Sequence, residues 1–139
     1  MERAQARPTV AALAMALALA ACGGGAGTAT GVIETVSPAE AAGIVGEARP
    51  DLVVLDVRTA EEFAAGHLAG AVNLDYYAAG FADELAALDR DVPYLLYCRT
   101  GNRSAQVREM MRGLGFTEVH ELGGGIVAWV EAGGAVVAP

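Results

Sequence analysis

The run Val92-Pro93-Tyr94-Leu95-Leu96-Tyr97 is apolar and aromatic, and it ends abruptly at Cys98-Arg99-Thr100-Gly101-Asn102-Arg103-Ser104. A short apolar run bounded by turn residues reads as a buried strand, and Arg-Thr-Gly-Asn-Arg cannot continue one. From Ser104 to Leu114 the apolar residues Val107, Met110, Met111 and Leu114 recur at helical spacing. A strand, a tight polar loop and a helix therefore follow one another without a break. That succession is the building unit of a parallel sheet covered by helices.

The joint also has a chemistry. A loop entering a helix turns several backbone N–H groups towards one point, where the helix dipole favours negative charge. A Cys98 thiolate is stabilised there, and so is an anion bound beside it. Arg99 and Arg103 add fixed positive charge, so the site suits a nucleophilic sulfur that handles an anionic substrate. The competing reading makes Cys98 a small buried hydrophobe, the usual fate of a free cysteine. The five polar loop residues that follow it argue against that reading.

The rest of the chain fits the same architecture. Val32-Ile33-Glu34-Thr35-Val36 reads as a first strand, and Ser37-Pro38-Ala39-Glu40 as the capping-box start of a helix reaching about Gly46. Leu52-Val53-Val54-Leu55 is a continuous apolar run, as expected of a parallel strand covered on both faces. Asp56 ends it, and Thr59-Ala60-Glu61-Glu62 caps a short helix that should bury Phe63. Ala71-Val72-Asn73-Leu74 reads as a strand, and Phe81 to Leu88 as a helix with Phe81, Leu85 and Leu88 on one face. Gly115 suits a helix C-cap. Phe116-Thr117-Glu118-Val119 reads as a last strand and Ile126 to Glu131 as a last helix. The expected fold is α/β, with a mostly parallel central sheet flanked by helices and the Cys98 loop at a carboxyl edge.

Three blocks of the chain resemble a known family. The Cys98–Ser104 loop is similar to the active-site loop of rhodanese-like sulfurtransferases. Asp56-Val57-Arg58-Thr59-Ala60-Glu61-Glu62-Phe63, with Gly66-His67-Leu68-Ala69-Gly70-Ala71-Val72-Asn73-Leu74, resembles that family's upstream signature. Gly123-Gly124-Gly125 with Trp129 resembles its C-terminal end. The resemblance covers residues 32–139 and implies one rhodanese-like three-layer domain; no internal repeat points to a second. It implies sulfur transfer through a Cys98 persulfide, with thiosulfate as the first donor to consider and a thiol or cyanide as acceptor. By the same resemblance the substrate meets Arg99, Thr100, Gly101, Asn102 and Arg103, with Asp56, Arg58 and Ser104 in support.

Several polar residues have plainer readings. Asp56 and Arg58 could form an acid–base pair, but residues so placed more often tie a turn together. His67 lies away from any second metal-ligand type and reads as a satisfied turn histidine; His120 has no stronger claim, and Trp129 reads as core. With two cysteines in the chain, one of them (Cys22) read as lipidated, neither zinc nor a disulfide is expected, nor any cofactor. Nine basic against 17 acidic residues, a net charge of −8, argue against a nucleic-acid partner. A monomer is expected.

Residues 1–21 read as a segment apart from the fold. Arg3 and Arg7 precede an unbroken apolar stretch from Val10 to Ala21, too short to span a bilayer and suited to a signal peptide. Leu19-Ala20-Ala21-Cys22 resembles the lipobox of bacterial lipoproteins, which implies cleavage before Cys22 and its lipidation. An ordinary cleavable signal is the alternative, since Ala18-Leu19-Ala20 also offers small residues. Residues 22–31 then form a glycine-rich tether. The expected place is the bacterial cell envelope, outside the cytoplasm, with membrane contact through the lipid anchor alone.

Two rival functions come from other classes. Cysteine phosphatases use a similar loop with the pattern Cys-x5-Arg, whereas Cys98 and Arg103 give Cys-x4-Arg; arsenate reduction is a further alternative of this class. A rhodanese-like domain that only binds a partner, or carries sulfur, is the other; such relatives commonly lack the cysteine.

Overall fold

The computed structural model describes residues 31–139. The expected signal segment, Cys22 and the expected tether up to residue 30 lie outside the described residues. The elements run β1 (Val32–Val36), α1 (Pro38–Gly46), β2 (Val53–Asp56), α2 (Ala60–Ala65), β3 (Val72–Asn73), α3 (Phe81–Ala87), β4 (Pro93–Tyr97), α4 (Asn102–Leu114), β5 (Glu118–Leu122) and α5 (Gly125–Glu131).

The five strands form one sheet in the order β1-β5-β4-β2-β3, and every neighbouring pair is parallel. β4 lies at its centre, and all five of its residues are buried. Successive side chains of a strand point to opposite faces. Tyr94, Leu96 and then Cys98 accordingly join Phe81 and Leu85 of α3 and Val107 and Met111 of α4 on one face. Leu95 and Tyr97 join Ala41 of α1 and Trp129 of α5 on the other. Burying a leucine such as Leu95 or Leu96 contributes about 1.5–3 kcal/mol, so the central strand carries much of the core.

Local chemistry starts two helices as expected. The Ser37 hydroxyl accepts the Glu40 N–H at 3.3 Å while the Glu40 carboxylate accepts the Ser37 N–H at 2.7 Å, with Pro38 at the first helical position. Thr59 and Glu62 repeat the reciprocal cap for α2, at 3.2 and 2.9 Å. Gly115 takes the left-handed conformation that ends α4.

Four boundaries or burials differ from the sequence reading. The last strand lies at Glu118–Leu122, not at 116–119. Phe116 packs against the Tyr94 ring before the strand begins, their centroids 5.4 Å apart. The strand then continues through polar residues, because each of them finds a partner. His120 Nδ1 bonds Glu34 and its Nε2 bonds Glu118, both at 2.9 Å. Helix α4 begins at Asn102, within the loop, so that Ser104 sits in its first turn. Strand β2 is displaced by one residue, ending on Asp56. Phe63 is half-buried: α2 has six residues and buries none, and the Phe63 ring instead stacks on His67 with centroids 3.8 Å apart.

The chain finally returns across the sheet's carboxyl edge. Trp129 donates its indole N–H to Ala135 O at 2.9 Å, and His67 and Val137 exchange backbone hydrogen bonds of 2.8 Å each way.

Candidate active site

Cys98 follows the central strand directly and is 1% exposed. Its sulfur accepts the Gly101 N–H at 3.1 Å and lies 3.3 Å from the Ser104 hydroxyl. Gly101 caps α4 in the left-handed conformation, φ 102°, which a residue with a side chain resists. That conformation swings its N–H back onto the sulfur. Burial pushes the Cys98 thiol up, but the Ser104 hydroxyl and the N–H groups of Ser104, Gly101 and Thr100 outweigh it. The thiol lies below its ordinary value as a result, which puts more thiolate within reach of an electrophile.

The loop is clamped from the following element. Ile126 N–H donates to Cys98 O at 2.9 Å and Val127 N–H to Arg99 O at 3.1 Å. Gly125 immediately precedes them with φ 62°, and a Cβ there would run into both carbonyl groups. The Gly123-Gly124-Gly125 run thus serves close backbone approach to the loop.

Arg99 and Arg103 have unlike surroundings. Arg103 donates to both oxygens of Glu62, at 2.9 and 3.1 Å, and its guanidinium lies 5.7 Å from the Tyr77 ring centre. The Arg103 guanidinium, helped by the Thr59 N–H, holds the Glu62 carboxyl down at about 2 against the effect of burial. Arg103 is therefore occupied in joining the loop to α2. Arg99 is exposed, and its side chain forms no hydrogen bond or ion pair among the described residues. Thr100 and Asn102 are exposed on the rim.

Asp56 and Arg58 stand at the end of β2 and share no hydrogen bond with the Cys98 sulfur. Arg58 binds the fully buried Asp56 at 2.6 Å and donates to Gly66 O at 2.7 Å, while Asn73 donates to Asp56 O and Arg58 O at 3.1 and 2.9 Å. The pair ties β2 to the crossover and to β3. His67 Nδ1 donates to Phe63 O at 2.9 Å. An open groove of about 400 Å³ runs beside the loop, lined by Arg58, Glu62, Ile126, Val127, Val130 and Val136.

Two residues of the site were not singled out from the sequence. Glu62 reads as a helix cap there, and the partner that Arg103 brings from 41 positions away leaves no local sign. Glu121 is the second. It is 3% exposed and accepts hydrogen bonds from the Ser104 hydroxyl at 2.6 Å and the Thr35 hydroxyl at 2.8 Å, with Arg108 at 3.5 Å. Its signal was available. Strand alternation from the buried Val119 puts Glu121 on the Cys98 face.

A family model described as the rhodanese-like domain matches residues 37–132. The thiosulfate sulfurtransferase GlpE of Pseudomonas entomophila is 35% identical over 94 residues, covering 68% of this chain and 82% of that protein. Its counterpart from Pseudomonas putida strain GB-1 is 39% identical over 77 residues, 55% of this chain and 68% of that one. Among solved structures, a rhodanese-related protein from Thermoplasma volcanium superposes with a TM-score of 0.67 at 29% identity, covering 76% of this chain and 99% of that one. A protein from Rhodopseudomonas palustris described as a possible tyrosine phosphatase superposes with a TM-score of 0.66 at 25% identity, covering 76% and 85%.

Proposed function

This chain belongs to the rhodanese-like domain family, and from that premise we propose that it moves sulfane sulfur from an anionic donor, thiosulfate first, to a thiol or cyanide through a persulfide on Cys98. The Cys98 thiolate attacks the outer sulfur of thiosulfate. A new S–S bond forms at Sγ, the donor's S–S bond breaks, and sulfite leaves with that bond's electron pair. A thiolate or cyanide then attacks the outer sulfur of the persulfide, and Cys98 leaves as the thiolate again.

The observation that carries this reading is the Gly101 N–H aimed at the Cys98 sulfur at a strand-to-helix joint. Backbone donors held there meet charge as it develops on sulfur without having to reorganise. Arg99, exposed beside them, draws the anionic donor. Arg103, held by Glu62, shapes the loop instead of gripping the substrate, which narrows the role its charge alone would give it.

That same ion pair weighs against phosphoryl transfer. Two of the five N–H donors of Arg103 go to Glu62, which leaves fewer to wrap a phosphate, and the Cys-x4-Arg spacing leaves the loop one residue short. Retention of Cys98 with its donors weighs against a domain that only binds. The fold shared with a possible tyrosine phosphatase bears on architecture, not on this choice.

The test is the intact mass of the protein after thiosulfate, before and after a reducing thiol. One sulfur atom is expected on the wild type and none on Cys98→Ser. An unchanged wild-type mass removes thiosulfate as donor. We also place the enzyme as a monomer in the bacterial cell envelope, lipidated at Cys22, a reading supported by the apolar stretch that ends at that cysteine.

A further inference from the structure

A serine hydroxyl has one proton to give. Three acceptors compete for the one on Ser104: Glu121 Oε1 at 2.6 Å, Gly101 O at 3.3 Å and Cys98 Sγ at 3.3 Å. The bond to the carboxylate is the shortest and is charge-assisted, roughly twice as strong as a neutral one. While Glu121 is ionised, then, Ser104 gives its proton to Glu121 and turns a lone pair towards the sulfur. A thiol can donate to that lone pair. A thiolate is repelled by it, so the Ser104 hydroxyl favours the thiolate only once its proton has turned to the sulfur.

We propose that Glu121 is a positioning residue for Cys98: it claims the Ser104 proton, so that deprotonation of the sulfur is linked to protonation of Glu121. In the linked step the Cys98 proton passes to Ser104 Oγ as the Ser104 proton passes to Glu121 Oε1. The S–H and O–H bonds break, a new O–H forms at each acceptor, and nothing is oxidised or reduced. Ser104 then donates to the thiolate.

The groups facing this relay are few. From β1, Thr35 donates to Glu121 Oε2 at 2.8 Å, opposite Glu121 in the parallel ladder. From α4, Arg108 lies 3.5 Å from Oε2; it also bonds Thr35 Oγ1 and pairs with Glu109. On the loop side stands Arg103, paired with Glu62. Thr35 and Arg108 both face Oε2, which leaves Oε1 to the Ser104 proton. Once a sulfane sulfur is attached, the charge sits on the outer sulfur, away from Ser104. The relay therefore disfavours the empty thiolate relative to the loaded persulfide. This functional meaning rests on the sulfur-transfer reading, whereas the linkage itself does not.

The experiment is the pH profile of Cys98 alkylation by iodoacetamide in the full chain, read on the Cys98 peptide by mass. In Glu121→Gln the amide oxygen faces Thr35 and Arg108, and its NH2 donates to Ser104, which frees the hydroxyl proton for sulfur. The profile moves to lower pH, and the rate on its acidic limb rises roughly tenfold, the size of effect one neighbouring charge exerts. Made on a Ser104→Ala background, the same substitution moves the profile much less, because the shared proton is gone. Thr35→Val, which keeps shape and touches no sulfur, moves it in the same direction by a smaller amount and serves if Glu121→Gln does not fold. An unmoved or raised profile in Glu121→Gln, an unmoved one in Thr35→Val, or an undiminished shift without Ser104 overturns the proposal. Failure of the wild type to take sulfur from thiosulfate, with these shifts intact, removes thiosulfate as donor and leaves the linkage standing.

Discussion

Arg103 lies next to the reactive loop in sequence, and its charge alone assigns it to an anionic substrate. Glu62 redirects it. With two hydrogen bonds of 2.9 and 3.1 Å, the guanidinium gains more from a fixed carboxylate than from a passing donor. The pair also makes stability depend on acid. The Glu62 carboxyl drops from its ordinary 4.5 to about 2 in the folded protein. Its contribution is therefore complete above pH 4.5 and disappears as the pH falls through about 2. Solvent reaches Glu62, whose side chain is 29% exposed, so screening holds the cost of Glu62→Gln at neutral pH to about 1 kcal/mol. Urea unfolding at a series of pH values reads this directly. Wild type and Glu62→Gln should differ most above pH 4.5 and converge towards pH 2. Parallel curves over that range would remove the ion pair from the stability account.

The elements were legible wherever local chemistry decided them. Ser37-Pro38 and Thr59 with Glu62 announce their helices, and the unbroken apolar run before Cys98 announces a strand buried on both faces. β5 was misplaced because its identity comes from position: lying between β1 and β4, it takes His120 and Glu121 into the interior, and their partners come from β1, from α4 and from within β5 itself. No window of sequence contains Glu34, Thr35 and Ser104 together. The same limit applies to Gly125, whose φ of 62° and contact with the loop carbonyls appear only once α5 is docked. Gly125→Ala should cost about 1–3 kcal/mol of stability from the strained conformation alone. It should also slow Cys98 chemistry by displacing the loop. Gly113, inside α4 with open space around its would-be Cβ, is the control: Gly113→Ala should stabilise by about 0.5–1 kcal/mol. Thermal melts of the two variants alongside Cys98 alkylation rates check both expectations. Equal effects at the two glycines would mean that the close approach at Gly125 is unimportant.

The molecule as a whole carries a net charge of −8 over its sequence, and among the described residues no helix is long and apolar enough to cross a membrane. Attachment through Cys22 would leave the folded domain in water, since a lipid on one residue anchors without burying protein surface. Expressed with its signal intact in a bacterium, the wild type should fractionate with membranes and take up a fatty-acid probe, and Cys22→Ala should do neither while its Cys98 chemistry is unchanged. Freely soluble, unlabelled wild type would return the segment to an ordinary cleaved signal. The all-parallel sheet adds a direction to this picture. Every strand starts at one rim and finishes at the other, so the chain enters β1 at Val32 on the rim opposite the one where β4 delivers Cys98. Five residues of strand separate the rims by about 16 Å. Whatever holds the protein by the residues before Val32 therefore takes hold at the rim away from the reactive sulfur.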